Sequence, residues 1–183
     1  SLIQIAKANL SAAEKDLAVL REYLPHSAET LFIEATISYL KKKYDKTRDA
    51  LSKLEKVAPN YPPAWLLNAM LAYSTHSDAV AEQQVNRYLA LRSRDMVALR
   101  LKAKIFLRTA RPALALEMLT PLLKTQQQDQ ELLVLAGSAH MQLKEYDKAT
   151  QMLERAVQIN PKNVLTQASL ARGYLAAGQE DRG

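Results

Sequence analysis

Three prolines share one fixed period along this chain, and that period constrains the fold more than any other sequence feature. The step from Pro59 to Pro161 is three times as long as the step from Pro25 to Pro59. The period is about 34 residues, the length of one supersecondary unit, which buries its apolar face only against stacked neighbours. We therefore predict a single repeat array over residues 1–183. Its full units span 28–61, 62–95, 96–129 and 130–163, with partial units at 1–27 and 164–183.

Side-chain size recurs at three positions of this register. Position 8 is small and reads Ala35, Ala69, Ala103, Gly137 and Ala171. Position 20 is small and reads Ala13, Thr47, Ala81, Ala115 and Ala149. Position 24 is large and apolar and reads Leu17, Leu51, Val85, Leu119 and Leu153. Small residues allow two helices to approach closely, and large apolar ones fill the space between them.

This pattern resembles the tetratricopeptide repeat, a helix–turn–helix unit of about 34 residues. Trp65 stands at position 4, where that family favours tryptophan, and the strip from Lys144 to Pro161 follows the family pattern most closely. The resemblance implies an all-α fold, a right-handed superhelix (α–α solenoid) of about eleven antiparallel helices. An ordinary helical bundle is the alternative that composition alone would favour. The predicted helices lie at about 2–9, 12–24, 28–42, 45–57, 62–74, 78–91, 95–109, 112–125, 129–143, 146–159 and 163–177.

The residue types exclude most enzyme chemistry. The chain has no Cys, which removes cysteine nucleophiles, thiolate zinc sites and iron–sulfur clusters. Its three His residues are scattered, and it has no His-Glu-x-x-His motif, glycine-rich phosphate loop or Gly-x-Ser-x-Gly elbow. We predict a protein without catalytic residues, metal site or cofactor. His140, at position 11, is expected to be a buried histidine with a partner.

The first helices of stacked units line the concave side, the usual binding surface of such solenoids. The side chains predicted to line this groove are Phe32, Thr36, Tyr39, Leu66, Met70, Tyr73, Arg100, Lys104, Arg108, Ser138, Met141 and Arg172. Apolar and aromatic side chains gather at one end and a basic band at the other, a pattern that suits a peptide or protein segment with apolar anchors and a carboxylate. A solvated face is the alternative for the band, and wall packing is the alternative for the aromatics.

A second function remains open from charge alone. The net charge of +6 and the sequence pI near 9.5 permit binding of a polyanion, either polysaccharide or nucleic acid, through the basic band. The charge is mild and no base-stacking motif accompanies it, so nucleic acid is the less favoured ligand. Apolar faces of the outermost helices, 2–9 and 163–177, are expected to associate with another copy, as in a piece of a longer array.

A further resemblance rests on short segments spread along the chain. These are 60–64 (Asn-Tyr-Pro-Pro-Ala), 87–90 (Arg-Tyr-Leu-Ala), 111–116, 135–137 (Leu-Ala-Gly), 153–156 (Leu-Glu-Arg-Ala), 160–163 (Asn-Pro-Lys-Asn) and 175–178 (Leu-Ala-Ala-Gly). They resemble the PrsT-like repeat lipoproteins of bacterial exosortase (PEP-CTERM) systems. The resemblance implies a Gram-negative cell-envelope protein, periplasmic or lipid-anchored, linked to exopolysaccharide production and protein sorting. The lipid-bearing Cys is not in this sequence, so membrane contact would come only through an anchor outside it. A cytoplasmic location is the alternative.

Overall fold

The computed structural model describes residues 9–178, and within that range the chain forms ten α-helices and no strand. In chain order they are α1 (Leu10–Tyr23), α2 (Ala28–Leu40), α3 (Tyr44–Val57), α4 (Pro62–Ser74), α5 (Asp78–Leu91), α6 (Met96–Arg108), α7 (Pro112–Thr125), α8 (Gln130–Gln142), α9 (Tyr146–Ile159) and α10 (Val164–Ala176). The all-α fold is confirmed, and the helix bounds agree with the predicted ones to within two residues. Residues 2–8 of the helix predicted at 2–9 lie outside the described residues, and Asn9 is the capping residue of α1.

The first helix of each repeat begins at the same position of the register. Ser27, Asp95, Asp129 and Asn163 each accept a hydrogen bond from a backbone N–H in the first turn of the following helix. Such caps satisfy donors that have no partner inside the helix. The equivalent position before α4 is Tyr61, where Pro62 begins the helix instead. These residues, one in each repeat, therefore place the starts of α2, α4, α6, α8 and α10.

A left-handed residue ends the first helix of each repeat. Non-glycine residues take this conformation at Lys42, His76, Ala110 and Lys144, with φ between 55° and 61°, and Gly178 follows with φ 72°. Backbone hydrogen bonds close the first of these turns, from Lys42 N–H to Tyr39 O at 2.8 Å and from Lys43 N–H to Ser38 O at 2.9 Å. The turn reverses the chain within a few residues, so the second helix packs back against the first.

The chain divides into two compact units, residues 1–93 and 94–183. In the first unit, α1 packs against α2, α2 against α3, α3 against α4 and α4 against α5, and α2 also contacts α4. Its core has two buried groups. One holds Leu31, Ala35, Ala50, Leu51, Leu54, Leu67 and Leu71 between α2, α3 and α4, and the other holds Ala13, Leu17, Ile33 and Ile37 between α1 and α2.

In the second unit, helices α6 to α10 follow the same scheme. Each packs against the next, and α8 contacts both α6 and α10. A buried core group joins α6, α7 and α8 through Ala103, Phe106, Ala115, Leu119, Leu132, Leu135, Ala136 and Ala139. Pro121 lies inside α7, on its exposed side. The helix continues to Thr125, although proline has no N–H to donate to the carbonyl of Glu117.

Burial follows the repeat register closely. All five residues at position 20 are 0% exposed, and those at position 24 are between 0% and 6% exposed. At position 8, the first four residues are buried, and Ala171 is half-buried because no helix follows α10 within residues 9–178. The close approach is tightest at Gly137, where an added Cβ would lie 2.8 Å from Leu153 Cγ. The predicted small and large positions are therefore the helix crossings and the core.

Candidate functional site

The first unit brings six of the predicted groove residues onto two adjacent helices, α2 and α4. We call this set the α2–α4 face; its members are Phe32, Thr36, Tyr39, Leu66, Met70 and Tyr73. They occupy positions 5, 9 and 12 of the register on each helix. All six are half-buried, so each retains some accessible surface while its remaining area packs on the protein. The face contains no cation.

Two aromatic residues of this face also hold the unit together. The Tyr39 hydroxyl lies 3.0 Å from Ser74 Oγ, which links α2 to α4. The Phe32 ring meets the Tyr61 ring edge-on, with centroids 5.5 Å apart, a favourable geometry for an aromatic pair. Thr36 Oγ1 donates to Phe32 O at 2.7 Å within its own helix. The wall packing that the sequence left open for the aromatics is therefore real for Phe32 and Tyr39.

Tyr61 marks an apolar and acidic environment at one end of the face. Burial raises the pKa of the Tyr61 hydroxyl above its usual value of 10.0, and the nearby Glu29 carboxylate raises it further. Both effects favour the neutral phenol. The ring beside Phe32 thus stays uncharged at physiological pH, which preserves the apolar character of the face.

The second unit contains the three predicted cations of α6, and the structure gives two of them carboxylate partners. We call Arg100, Lys104 and Arg108 the α6 basic row. Arg100 pairs with Asp129, and Lys104 Nζ lies 2.6 Å from Glu131 Oε1. Arg108 also has an interaction within the chain. Arg100 and Lys104 are therefore neutralised by carboxylates of the same unit.

Asp129 accepts hydrogen bonds from both α8 and α6. One carboxylate oxygen, Oδ1, accepts the Leu132 N–H at the start of α8 at 3.0 Å, and the other, Oδ2, accepts from Arg100. Arg100 Nε lies 3.4 Å from Glu131 Oε2 and is buried without a hydrogen bond to any described residue. The side chains of Asp129 and Arg100 are only 14% and 26% exposed, so water screens this pair less than a surface pair. Neither carboxylate partner was predicted from the repeat pattern.

The remaining predicted groove residues lie apart from the α6 basic row in their contacts. Ser138 Oγ donates to Val134 O at 2.8 Å, and Arg172 donates to Ser169 Oγ at 3.3 Å, each within its own helix. Met141 is half-buried on α8, and Arg172 is exposed on α10. Gln142 adds a further contact between α8 and α6, because its Nε2 donates to Leu107 O at 3.0 Å.

His140 has the partner that its register position predicted. Its Nδ1 lies 2.6 Å from Glu145 Oε2, and the side chain is 15% exposed. Lys148 donates to the other oxygen of Glu145 at 2.9 Å. The hydrogen bond from Lys148, followed in importance by that of His140, holds the pKa of Glu145 below its usual value of 4.5. The three side chains fix the turn between α8 and α9.

Within residues 9–178, no cluster of three or more His, Cys, Asp or Glu side chains is arranged to hold a metal ion. None of the ten described helices has the length and apolar character needed to cross a membrane.

The fold is shared with several solved helical-repeat structures. A tetratricopeptide repeat protein from Parabacteroides merdae ATCC 43184 aligns with a TM-score of 0.78 at 14% identity, over 99% of this chain and 72% of that chain. MamA (41-end) from Desulfovibrio magneticus RS-1 aligns with a TM-score of 0.75 at 15% identity, over 85% and 88%. The APC/C hetero-tetramer Cut9–Hcn1 aligns with a TM-score of 0.80 at 18% identity, over 96% of this chain and 35% of that chain. No curated protein sequence matches the chain.

Helical hairpins in one fixed register, together with these neighbours, define a tetratricopeptide-type repeat protein. The chain belongs to the ChAPs (Chs5p-Arf1p-binding proteins) family, whose model matches residues 4–182.

Proposed function

We propose that this chain is a non-catalytic interaction scaffold that binds a peptide or protein segment on the α2–α4 face. The observation that carries the proposal is the set of half-buried apolar and aromatic side chains at equal register positions of two neighbouring helices. Leu66, Met70 and Tyr73 offer accessible apolar surface that an amphipathic segment covers with its own apolar residues. The family name, which describes proteins that bind Chs5p and Arf1p, supports a protein partner.

The test uses a pair of variants in the same unit. Met70→Ala with Tyr73→Ala truncates two side chains of the face and leaves the Tyr39–Ser74 link intact. Val80→Ala with Leu91→Ala truncates two exposed apolar side chains of α5, which are 43% and 62% exposed, and serves as the matched control. Purified Arf1p and Chs5p, and a library of 20-residue peptides, are the probes.

We expect the face variant to dissociate from any bound probe at least about tenfold faster, since buried aromatic anchors carry most of the affinity at such surfaces. The α5 control should dissociate like the parent. Equal binding by all three proteins, or an equal loss in the control, would remove the α2–α4 face as the binding site.

Polyanion binding through the α6 basic row and Arg172 is the alternative function. It has less support, because Arg100 and Lys104 already have carboxylate partners in Asp129 and Glu131. A salt titration separates the two functions. Polyanion affinity falls steeply with salt concentration, whereas an apolar contact changes little.

We further propose a location in the bacterial cell envelope, with a role in exopolysaccharide production and protein sorting. The support is the set of short segments that resemble exosortase-system repeat lipoproteins, such as 60–64 and 160–163. Fractionation of cells that express the full gene product tests it. Recovery with the membrane or periplasmic fraction is the expected result, and recovery with the cytoplasm would contradict it.

A further inference from the structure

The positive charge of this chain is concentrated on one turn and one helix of the first unit. Residues 41–56, which comprise the turn after α2 and most of α3, contain seven Lys or Arg and three Asp or Glu. They carry a net charge of +4, out of +6 for the whole chain. This region lies outside both the α2–α4 face and the α6 basic row.

Five of these cations are exposed and have no carboxylate partner in the described part of the chain. Lys41 pairs with Glu14, and Arg48 Nη1 lies 2.8 Å from Asp45 Oδ1. The remaining cations form the set that we call the basic face: Lys42, Lys43, Lys46, Lys53 and Lys56. Lys46 and Lys53 are two helical turns apart on α3, so they point in nearly the same direction about 10 Å from each other.

The two turn lysines stand where helix stability disfavours a cation. Lys43 is the residue before α3 and makes no side-chain cap, although this position favours Ser, Thr, Asp or Asn. The N-terminus of a helix carries a partial positive charge, which repels a nearby cation and attracts an anion. Lys42 also holds a left-handed backbone, with φ 56°. Both features recur at the equivalent turns of the other repeats, so what distinguishes this turn is its two adjacent positive charges beside the start of α3.

We propose that the basic face binds an acidic segment of a partner protein. The charges of Lys42, Lys43 and Lys46 add to the positive end of α3 at the turn, and Lys53 and Lys56 extend the positive surface along the helix, so a carboxylate-rich segment gains from contact along the whole face. This surface is separate from the α2–α4 face, and its occupation does not depend on the function proposed for that face.

The carboxylates on α3 favour an acidic protein segment over a uniformly anionic partner. Asp45 is 95% exposed, and Asp49 and Glu55 are exposed as well, interleaved with the lysines. A uniformly anionic surface, such as a phosphatidylserine membrane or a nucleic acid backbone, would bring phosphates against these carboxylates. An acidic protein segment can place an occasional Lys or Arg opposite them. Tyr44, the aromatic residue of α3, is half-buried beside Tyr39 and offers no open ring for base stacking.

The experiment compares two triple charge reversals in the same chain. Lys42→Glu, Lys46→Glu and Lys53→Glu reverse the basic face. Arg94→Glu, Lys124→Glu and Lys162→Glu reverse three exposed cations elsewhere, with the same change in net charge. The probes are a 20-residue helical peptide rich in Glu with interspersed Lys, a 20-nucleotide oligo-dT and vesicles of phosphatidylcholine with phosphatidylserine.

We expect the acidic peptide to bind the parent more tightly than the oligonucleotide or the vesicles. The basic-face variant should bind it at least about tenfold more weakly, and the control variant within about twofold of the parent. The Met70→Ala, Tyr73→Ala variant should bind it like the parent, which separates this proposal from the previous one. An equal loss in both charge variants would show that net charge alone acts and would overturn the proposal. Tighter binding of oligonucleotide or vesicles would overturn the choice of partner.

Discussion

The close approach of α8 and α9 at Gly137 makes a quantitative test of the repeat register possible. A Cβ at this position would lie 2.8 Å from Leu153 Cγ, 3.0 Å from Leu153 Cδ2 and 3.3 Å from Ala149 O. Leu153 is 1% exposed, so its side chain has no solvent to move into, and the Ala149 carbonyl belongs to the helix backbone. The substitution Gly137→Ala therefore forces α8 and α9 apart or pushes Leu153 from its rotamer.

Two opposing effects set the size of the change in stability. Alanine favours the helix over glycine by about 1 kcal/mol. Overpacking a filled crossing costs about 1–3 kcal/mol. We expect Gly137→Ala to lower the free energy of unfolding by up to about 2 kcal/mol, since the crossing of α8 and α9 has no free space for the new methyl group. Gly137→Leu should cost more, because three further carbon atoms enter the same space.

A double-mutant cycle tests the cause. Leu153→Ala alone should cost about 2–5 kcal/mol, as a large-to-small change in a core. In the double variant the new methyl group of residue 137 enters the space that Leu153 leaves. The combined loss should therefore be at least about 1 kcal/mol smaller than the sum of the single losses.

Urea unfolding followed by circular dichroism measures each variant. Gly173→Ala is the matched control, with the same gain in helix propensity. Its Cβ would lie 3.0 Å from Thr150 Cγ2 and has no backbone atom among its nearest contacts. We expect the control to lose less stability than Gly137→Ala. A Gly137→Ala protein as stable as the parent, with additive losses in the cycle, would refute the argument from close approach.

Three further predictions concern a turn, an ion pair and a cap. Ala110→Gly should raise the free energy of unfolding by about 1 kcal/mol, because Ala110 holds φ 55°; an unchanged urea midpoint would contradict this. Glu145 has a folded-state pKa below its usual 4.5, so its contribution to stability is present above that pH and is lost as the pH falls through the lowered value. Glu145→Gln should therefore be less stable than the parent at pH 7 and equal to it well below pH 4.5, and a constant difference across this range would exclude the linkage. Asp129→Asn keeps a capping oxygen for α8 but removes the carboxylate that accepts from Arg100. We expect the free energy of unfolding to fall by about 1–3 kcal/mol and the affinity for a carboxylate-rich peptide to rise in a salt-dependent way. An unchanged affinity would mean that Glu131 alone neutralises the α6 basic row.

The repeat register could be predicted because its causes act at equal positions. Each helix crossing requires a small residue, and each core layer a large apolar one, so the same constraint recurs once in every repeat. Thr47 and Ala149 satisfy it alike although their chemistry differs, and both are 0% exposed. The starts of the helices were predictable for a similar reason, since capping residues such as Asp95 recur in phase.

The electrostatics of the candidate site could not be predicted in this way. Arg100, at position 5, pairs with Asp129, at position 34 of the same repeat. Lys104, at position 9, pairs with Glu131, at position 2 of the next repeat. Comparing equal positions does not align such partners. The sequence does contain a signal for these ion pairs, because two carboxylates stand at the beginning of α8. Using that signal requires knowing that α8 packs beside α6, which a comparison of equal repeat positions does not show. The predicted binding role of the α2–α4 face stays a prediction.

The contacts between successive helices also determine how this chain can fold during synthesis. Hydrogen bonds between helices join Tyr174 to Glu154, 20 residues apart, and Gln130 to Thr166, 36 residues apart. Short separations mean a low entropic cost of loop closure and a low contact order, which favour folding on the microsecond-to-millisecond scale. A ribosome needs about 2–7 s to add one repeat. Each hairpin therefore has time to form on its predecessor before the next one exists, and its apolar helix face is covered soon after it emerges.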